Sequence, residues 1–305
     1  MTRISLRQLE YFRAIAVTGS LSAAAENRHV SRSTMASALD ELERALGSQL
    51  CVRYKSHGIE LTEAGRAVLD TAVTILGEVD DLENIGSDRR LTGELVIGCF
   101  SSLAPTVLPR LLARYAAEHP EVRTSIVVET ADVLDERLRA GHLDLIISYN
   151  PHLDPTLAFE QLFDTRMHLI LPADHRLAGN ASVSVRELVD EPLVLMMTPP
   201  STNEVLGYFA RLDLRPNVRF QITHFELARS LVASGLGYSL FIQRPKNNNT
   251  YDGLPIVTLP MDPPPPVQRV AIAWPKARRL NAKSREFVRI ALAEAEHISP
   301  ESLYD

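Results

Sequence analysis

The sequence predicts an α/β protein in three parts: a winged helix-turn-helix, a long dimerisation helix and a two-lobed α/β domain. Three observations support this prediction: short capped helices followed by two short strands, a seven-residue apolar repeat, and apolar runs that alternate with helical segments. The chain has 305 residues and is 45% hydrophobic. That length exceeds what a single core usually organises, so several domains are expected.

Composition narrows the class of protein. The two cysteines, Cys51 and Cys99, lie far apart in sequence, so they predict neither a disulfide framework nor a metal cluster. No apolar stretch is long enough to span a membrane, and residues 1–30 lack the pattern of a secretory signal peptide. We therefore expect a cytoplasmic protein without a membrane partner.

Charge is unevenly distributed along the chain. The formal net charge of −6 argues weakly against a nucleic-acid partner. Residues 1–60, however, hold eight basic and six acidic side chains, so the net negative charge lies beyond them. The average therefore hides an N-terminal segment of the opposite sign.

Three amphipathic segments open the chain. Apolar residues recur at helical spacing over residues 6–17, 21–28 and 31–47. Ser5 and Ser20 stand at the expected N-cap positions of the first two segments. Two short helices and a longer third one predict a tri-helical head.

Two short strands are predicted after the head. Residues 50–55 and 59–61 have strand character, and the turn at 56–58 joins them into a basic hairpin. This hairpin is expected to form a wing.

The next segment is predicted to be a long helix, opening at Thr62 and Glu63, that pairs two chains. Two interleaved seven-residue series form a seam typical of a coiled coil. The series are Leu61, Val68, Ile75 and Leu82, and Gly65, Ala72, Val79 and Gly86. An ordinary packed helix is the alternative. The acidic run over residues 78–83 leaves little else for the seam to bury against, which favours dimerisation.

From Gly93 onward, short apolar runs are separated by helical segments. Runs buried on both faces indicate parallel sheets with βα units. The sets over residues 93–147 and 169–241 predict two lobes, and a strand at 270–274 with a helix near 280–296 is expected to rejoin the first lobe. The other predicted helices lie near residues 104–118, 131–140, 202–211 and 225–234.

These patterns divide the chain into three predicted domains. They are a winged helix-turn-helix head at 1–61, a linker helix at 62–90 and a two-lobed C-terminal domain at 91–300. Within the last, lobe I covers about 91–162 and 268–298, and lobe II about 163–267. Ser148, Tyr149 and Asn150, together with Phe163 and Asp164, lie near the expected lobe crossings and are predicted hinges.

A series of short motifs, in a characteristic order and at characteristic distances from one another, extends over nearly the whole chain. In the N-terminal part they are Leu6-Arg7-Gln8-Leu9, Tyr11-Phe12, Gly19-Ser20, Ala23-Ala24-Ala25, Val30-Ser31, Leu42-Glu43, Leu46-Gly47 and Leu61-Thr62-Glu63-Ala64-Gly65. Later they are Gly93-Glu94-Leu95, Leu103-Ala104-Pro105, Gly141-His142-Leu143-Asp144-Leu145 and Gly235-Leu236-Gly237. As an ensemble, these positions resemble LysR-type transcriptional regulators, although no single motif is decisive.

That resemblance implies a fold and a set of partners. The implied fold is a winged helix-turn-helix, a pairing linker helix and a regulatory domain like periplasmic solute-binding proteins. The implied function is that of a bacterial regulator, not an enzyme, whose partners are promoter DNA, RNA polymerase and further copies of itself in a dimer and a tetramer. A small effector held between the lobes is expected, and no other cofactor.

The N-terminal end of the third helix is the predicted DNA-reading surface. In a helix-turn-helix this end enters the major groove. Arg32 can donate two hydrogen bonds to a guanine edge, whereas capping alone is the alternative role of Ser31. The predicted contacts are Ser31, Arg32, Ser33, Thr34 and Ser37.

Phosphate contacts are predicted on the wing, at Arg53, Lys55 and His57, where they supply affinity that falls with salt. For Lys55, a solvated surface charge is an equal alternative. The chain departs from the family at Ser37 and Asp40, where the resemblance implies basic residues. This departure predicts weak DNA binding by each head, with useful affinity coming from linked heads.

The effector site is predicted where strands end and helices begin in the two lobes. Ser101 and Ser102 follow the first strand of lobe I, and Thr198-Pro199 has the same character in lobe II. Thr130 opens another helix. Hydroxyls and free amide groups at such ends would receive a carboxylate, with simple capping as the alternative.

His224 and Phe225 are further candidates. Phe225 could stack on an aromatic effector and His224 could pair with its charge, although a core phenylalanine and a surface histidine are the favoured reading. Effector binding is expected to shift an equilibrium between tetramer shapes and so change DNA bending.

Two other function classes are disfavoured. The sequence shows no nucleophile elbow, zinc-spaced ligand set or phosphate-cradling glycine loop, which argues against an enzyme. A thiol-based oxidant sensor would have to use Cys99, which lies in a predicted buried strand and has no resolving cysteine in the same domain.

Overall fold

The N-terminal head begins with three helices. In the computed structural model, which describes residues 4–54, 58–83, 91–150, 154–300 and 303–304, these helices are α1 (Leu6–Thr18), α2 (Leu21–Asn27) and α3 (Arg32–Leu46). Ser5 and Gln8 form a capping box at the start of α1. Ser20 and Ser31 cap the next two helices by accepting from backbone N–H groups. The three predicted head helices are confirmed.

The wing is a two-stranded hairpin held against the helices. Strands β1 (Cys51–Tyr54) and β2 (Gly58–Leu61) are antiparallel. The carboxylate of Glu43 in α3 accepts from the backbone N–H groups of Leu50 and Cys51, at 2.7 and 3.1 Å. These bonds fix where the hairpin leaves the head.

The linker helix α4 (Glu63–Glu83) packs along the head of its own chain. A Cβ on Gly65 would lie 2.1 Å from the Leu50 carbonyl oxygen, so the close approach of helix and strand requires glycine. Ala72 is buried in the head core, whereas Ile75 is 39% and Leu82 66% exposed. Leu61 and Val68 of the first predicted series also pack against the head core, so only the later members of that series, Ile75 and Leu82, remain at the surface.

Three residues of the acidic run of α4 are paired, which corrects the premise that the run leaves little else for the seam to bury against. Its ion pairs to lobe I are Glu78 with Arg279 at 3.1 Å, Asp80 with Lys283 at 2.8 Å and Asp81 with Arg285 at 2.9 Å. The acidic face therefore docks on a basic surface formed about 200 residues later. The case for dimerisation rests on the exposed Ile75 and Leu82 instead.

Lobe I is a five-stranded sheet flanked by helices. Its elements are β3 (Gly93–Phe100), α5 (Ala104–Glu118), β4 (Val122–Glu129), α6 (Ala131–Arg139), β5 (Leu145–Tyr149), β6 (Leu157–Arg166), β12 (Val267–Pro275), α9 (Ala282–Ala293) and α10 (Ala295–Ile298). The strand order is β4-β3-β5-β12-β6. The pairs among β3, β4 and β5 are parallel, but β12 is antiparallel to both neighbours. The predicted parallel sheet is mixed because β12 enters from lobe II, at the end where the parallel strands finish.

Lobe II contains two small sheets. Its elements are β7 (His168–Pro172), β8 (Pro192–Met196), α7 (Ser201–Arg211), β9 (Asn217–Ile222), α8 (Phe225–Ala233), β10 (Ser239–Phe241) and β11 (Ile256–Leu259). Strands β8 and β9 are parallel, while β7 pairs antiparallel with β10 on one side and β11 on the other. A bridge between Leu193 and Tyr238 connects the two sheets.

The chain crosses between the lobes at Met167, between β6 and β7, and over residues 260–266, between β11 and β12. The predicted hinge at Phe163-Asp164 and the boundary beside it fall inside β6, because the pairing of β6 with β12 continues to Arg166 and Val267. Ser148-Tyr149 likewise lies inside β5, and Asn150 directly follows it. Within the described residues, no helix is long and apolar enough to cross a bilayer.

Candidate DNA-reading surface and effector cavity

The N-terminal end of α3 presents a cluster of hydroxyl groups. Ser31 Oγ accepts from the Thr34 backbone N–H at 3.0 Å and shares hydrogen bonds with Ser33 Oγ at 2.7 Å and Thr34 Oγ1 at 2.8 Å. The opposite face of α3 buries Met35 and Leu39 in the head core. The polar end, which carries the positive pole of the helix dipole, is therefore directed to the surface.

The predicted contacts on α3 are all exposed: Ser31, Arg32, Ser33, Thr34 and Ser37. Arg53 lies in β1, and nothing is described of its side chain. Lys55 and His57 lie outside the described residues. The cap role of Ser31 is confirmed, and the DNA contacts on α3 and the wing stay predictions.

The regulatory domain has a cavity of about 860 Å³ between the lobes and a smaller one of about 440 Å³ beside β6 and β7. The larger cavity is lined from lobe I by Ser101, Ser102, Thr106 and Val128, and from lobe II by His224, Phe225, Gln243, Arg244 and Lys246, among others. Residues 297–300, at the end of α10, close one side. Residues from three separate parts of the chain therefore meet around one space.

Four of the predicted effector residues line this cavity: Ser101, Ser102, His224 and Phe225. Thr130, Thr198 and Pro199 are described but are not among its lining residues. The Thr130 hydroxyl instead bonds the Asp132 carboxylate, which lowers the pKa of that carboxyl. Thr198 is buried, and its carbonyl accepts from Ser201 N at 2.9 Å. Both threonines have local contacts, and their part in effector binding stays a prediction.

Phe225 packs against the core of lobe II and also lines the cavity, while its stacking on an effector stays a prediction. Its ring is partly buried against Phe241, with centroids 4.5 Å apart, and it also lines the cavity. His224 is exposed at the N-cap of α8, where its side chain makes no capping hydrogen bond. The lobe II wall of the cavity therefore contains an aromatic ring and a histidine.

Positive charge is the cavity feature that sequence reasoning missed. Arg244 and Lys246 line it directly. The buried Arg229 is held by Glu226 at 2.9 Å and by the carbonyls of residues 247 and 249. The signal in the sequence was the run Gln243-Arg244-Pro245-Lys246, placed directly after the last predicted strand of lobe II. Basic side chains beside hydroxyls suit an anionic ligand.

Both cysteines are buried. Cys99 is fully buried in β3, as predicted, and desolvation raises the pKa of its thiol. Cys51 lies in the core of the head. A protonated thiol without solvent access is a poor target for peroxide, because the thiolate is the reactive form.

Two separate segments of the chain match known domain families. Residues 6–66 match the bacterial regulatory helix-turn-helix of the lysR family, and residues 88–296 match the LysR substrate binding domain. The chain belongs to the LysR family of transcriptional regulators. It is a DNA-binding transcription regulator with an effector-binding domain, not an enzyme.

Individual LysR-family proteins are similar over almost their full length. HcaR, the hca operon transcriptional activator of Escherichia coli K12, is 28% identical over 94% of this chain and 97% of its own. The crystal structure of HinK from Pseudomonas aeruginosa is 32% identical, with a TM-score of 0.64, and covers 97% of this chain and 100% of that chain. A full-length OxyR variant from Pseudomonas aeruginosa, 24% identical, shows the same fold, with a TM-score of 0.75 over 97% of this chain and 99% of its own.

Proposed function

We propose that this LysR-family regulator controls a promoter by changing the bend of bound DNA when a small carboxylate-bearing or aromatic effector enters the cavity between its lobes. The observation that carries this proposal is the cavity itself. Its volume of about 860 Å³ suits a small molecule. It combines hydroxyls of lobe I with the charge of Arg244 and Lys246 and the ring of Phe225, so a ligand there would contact both lobes.

A physical connection between lobe I and the linker helix supports transmission of the signal. The guanidinium of Arg278 donates to Asp70 Oδ1 of α4 at 2.9 Å, and to the carbonyls of Leu138 and Arg139 at 2.7 and 2.8 Å. Those carbonyls end α6, which begins just after the strand that holds the cavity residue Val128. A shift of lobe I would therefore carry α4 and the head with it.

Oligomerisation would turn this shift into a change of DNA shape. Pairing through α4 presents two α3 ends to successive major grooves, and a tetramer presents four. The proposed contacts are Ser31 to Thr34 and Ser37 on α3, with Arg53, Lys55 and His57 on the wing. The proposal includes the division of the chain into a head at 1–61, a linker at 62–90 and a regulatory domain at 91–300. It also includes a contact with RNA polymerase.

A cavity-filling variant tests the proposal. Aliphatic and aromatic carboxylates are screened by thermal shift, and a binder is added at saturation to circularly permuted DNA complexes. We expect the bend angle to change while the DNA stays bound. Ser102→Trp should abolish both the thermal shift and the bend change without loss of DNA binding, and Ser182→Trp, on an exposed loop of lobe II, is the control. An unchanged bend and footprint at saturating binder would contradict the proposal.

A further inference from the structure

We infer that the effector is a hydroxylated carboxylate, whose hydroxyl donates to Gln243 Oε1 while its carboxylate faces Arg244 and Lys246. This inference rests on the proposed function and narrows the ligand class of the same cavity. It depends on one buried amide, whose orientation is the one that makes more hydrogen bonds with its neighbours.

Gln243 presents an acceptor that the protein leaves unused. The residue follows β10, lines the cavity and is 1% exposed. Its Nε2 donates to the hydroxyl of Thr106, which also lines the cavity. Its Oε1 is buried and finds no hydrogen-bond partner among the described residues. A buried carbonyl oxygen without a donor destabilises the folded state, so such atoms call for a specific explanation.

The orientation of this amide follows from Thr106. An amide can be turned over, exchanging its oxygen and nitrogen, unless its neighbours distinguish them. The Thr106 hydroxyl donates its single proton to the Leu103 carbonyl at 3.0 Å. With the amide nitrogen toward Thr106, this hydroxyl makes two hydrogen bonds, because it also accepts from Gln243. Turning the amide would direct the single hydroxyl proton to Oε1 and give up the bond to Leu103, so the orientation that leaves Oε1 unpaired makes one hydrogen bond more.

Gln268 shows that a buried glutamine of this protein can be fully paired. It is 4% exposed in β12 and does not line the cavity. Its Nε2 donates to Glu204 at 3.1 Å, and its Oε1 accepts from Asn150. An unpaired oxygen is therefore not a general property of the buried glutamines here, and the one at Gln243 belongs to a residue that lines the cavity.

The charges around Gln243 select the kind of donor. Arg244 is adjacent in sequence, Lys246 lies two residues further, and both line the cavity. An ammonium group at this place would be repelled by them, whereas a neutral hydroxyl would not. The same side chains attract a carboxylate. One ligand with a hydroxyl near a carboxylate satisfies both features.

The test uses matched pairs of probes and the full-length protein. The pairs are benzoate with its three hydroxybenzoates, propanoate with lactate, and succinate with malate, and dissociation constants come from calorimetry. We expect a hydroxylated member to bind about tenfold or more tightly than its partner, because the partner leaves Oε1 unpaired. Gln243→Met should remove that preference, and Gln268→Met should retain it.

A readout without ligand accompanies the binding data. Gln243→Met removes an unpaired acceptor together with one hydrogen bond to Thr106, whereas Gln268→Met breaks two hydrogen bonds and removes no unpaired acceptor in return. Gln243→Met should therefore lower the midpoint of thermal unfolding less than Gln268→Met does. Equal binding within each pair, a preference that survives Gln243→Met, or no binding by any pair would overturn the inference. Binding with the expected preference but without an effect on DNA bending would instead contradict the proposed function alone.

Discussion

Arg278 and Arg279 are neighbours with very different surroundings. Arg278 is 7% exposed and makes three hydrogen bonds that join α4 to α6. The side chain of Arg279 is 73% exposed and pairs only with Glu78 among the ion pairs described. The first therefore stabilises the contact between linker helix and lobe I, while the second contributes little.

Replacing these two arginines gives a matched prediction. Arg278→Ala leaves Asp70 and two helix-terminal carbonyls without their donor, which should cost about 3 kcal/mol. Arg279→Ala removes an exposed pair and should cost less than about 1 kcal/mol. The measurement is the midpoint of thermal unfolding of both variants beside the parent chain. Equal midpoints for the two variants would show that Arg278 does not hold the linker.

His168 makes the stability of lobe II depend on pH. It is 2% exposed in β7, and burial, with the nearby Arg244 charge, lowers its pKa to about 3. In the unfolded chain its pKa is close to the ordinary value of about 6.5. Between these two values the unfolded state binds a proton that the folded state does not. The contribution of the neutral His168 to the free energy of unfolding is therefore fully present above pH 6.5 and is lost as the pH falls toward 3.

His168→Gln should reduce this acid sensitivity. The native histidine contributes a loss of about 1.4 kcal/mol per pH unit below pH 6.5, and glutamine cannot titrate. Urea midpoints at pH 7.5 and pH 5.5 measure the difference. His297→Gln, at a histidine whose side chain is 57% exposed, is the control. The same drop in parent and His168→Gln chains would contradict a neutral buried imidazole.

At the scale of elements, the free face of α4 is the proposed interface between two chains. Ile75 and Leu82 stand seven residues apart and remain exposed after α4 has packed on its own head and lobe I. Burial of these side chains against a partner's helix would remove apolar surface from water. The elements of one subunit leave this face available.

Charged residues on that face should separate the chains. The double change Ile75→Asp and Leu82→Asp should convert the oligomer to monomers, because four carboxylates cannot be buried together. Leu292→Asp, at a residue of α9 that is 41% exposed, is the matched control. Light scattering after gel filtration gives the mass. An unchanged oligomer in the double variant would place the interface elsewhere.

The elements that were predictable are those with a local signal. Helices α1 to α3 carry apolar periodicity and serine N-caps, helices α5 to α8 carry apolar periodicity, and the observed bounds of all seven lie within one residue of the predicted ones. Strand β6 was missed because its sequence lacks an apolar run and its pairing with β12 contains a bulge. Strand pairing of this kind depends on residues that are distant in sequence.

The site was predictable in part for the same reason. Ser101, Ser102, His224 and Phe225 follow strands, and the structure brings them to one cavity. Gln243 and Arg244 lie in a loop whose position is set by the meeting of the two lobes. The ion pairs of α4 with residues 279–285 also join segments about 200 residues apart, so no local pattern could reveal them.

At the scale of the whole molecule, head, linker and regulatory domain are joined so that ligand and DNA can influence one another. The cavity contacts both lobes, and lobe I holds α4 through Arg278 and three further ion pairs. A ligand that prefers one arrangement of the lobes would thus favour one arrangement of the heads. By linkage, DNA of a suitable shape would favour the ligand in turn.

DNA reading by the exposed end of α3 is the central claim, and a gel shift tests it most directly. The DNA is the segment immediately upstream of the protein's own coding sequence, with a scrambled fragment as control, at 50 and 200 mM salt. We predict selective retardation that weakens at least about tenfold at the higher salt, and loss of selectivity in Arg32→Ala. Equal binding to both fragments, or unchanged selectivity in Arg32→Ala, would contradict the assignment.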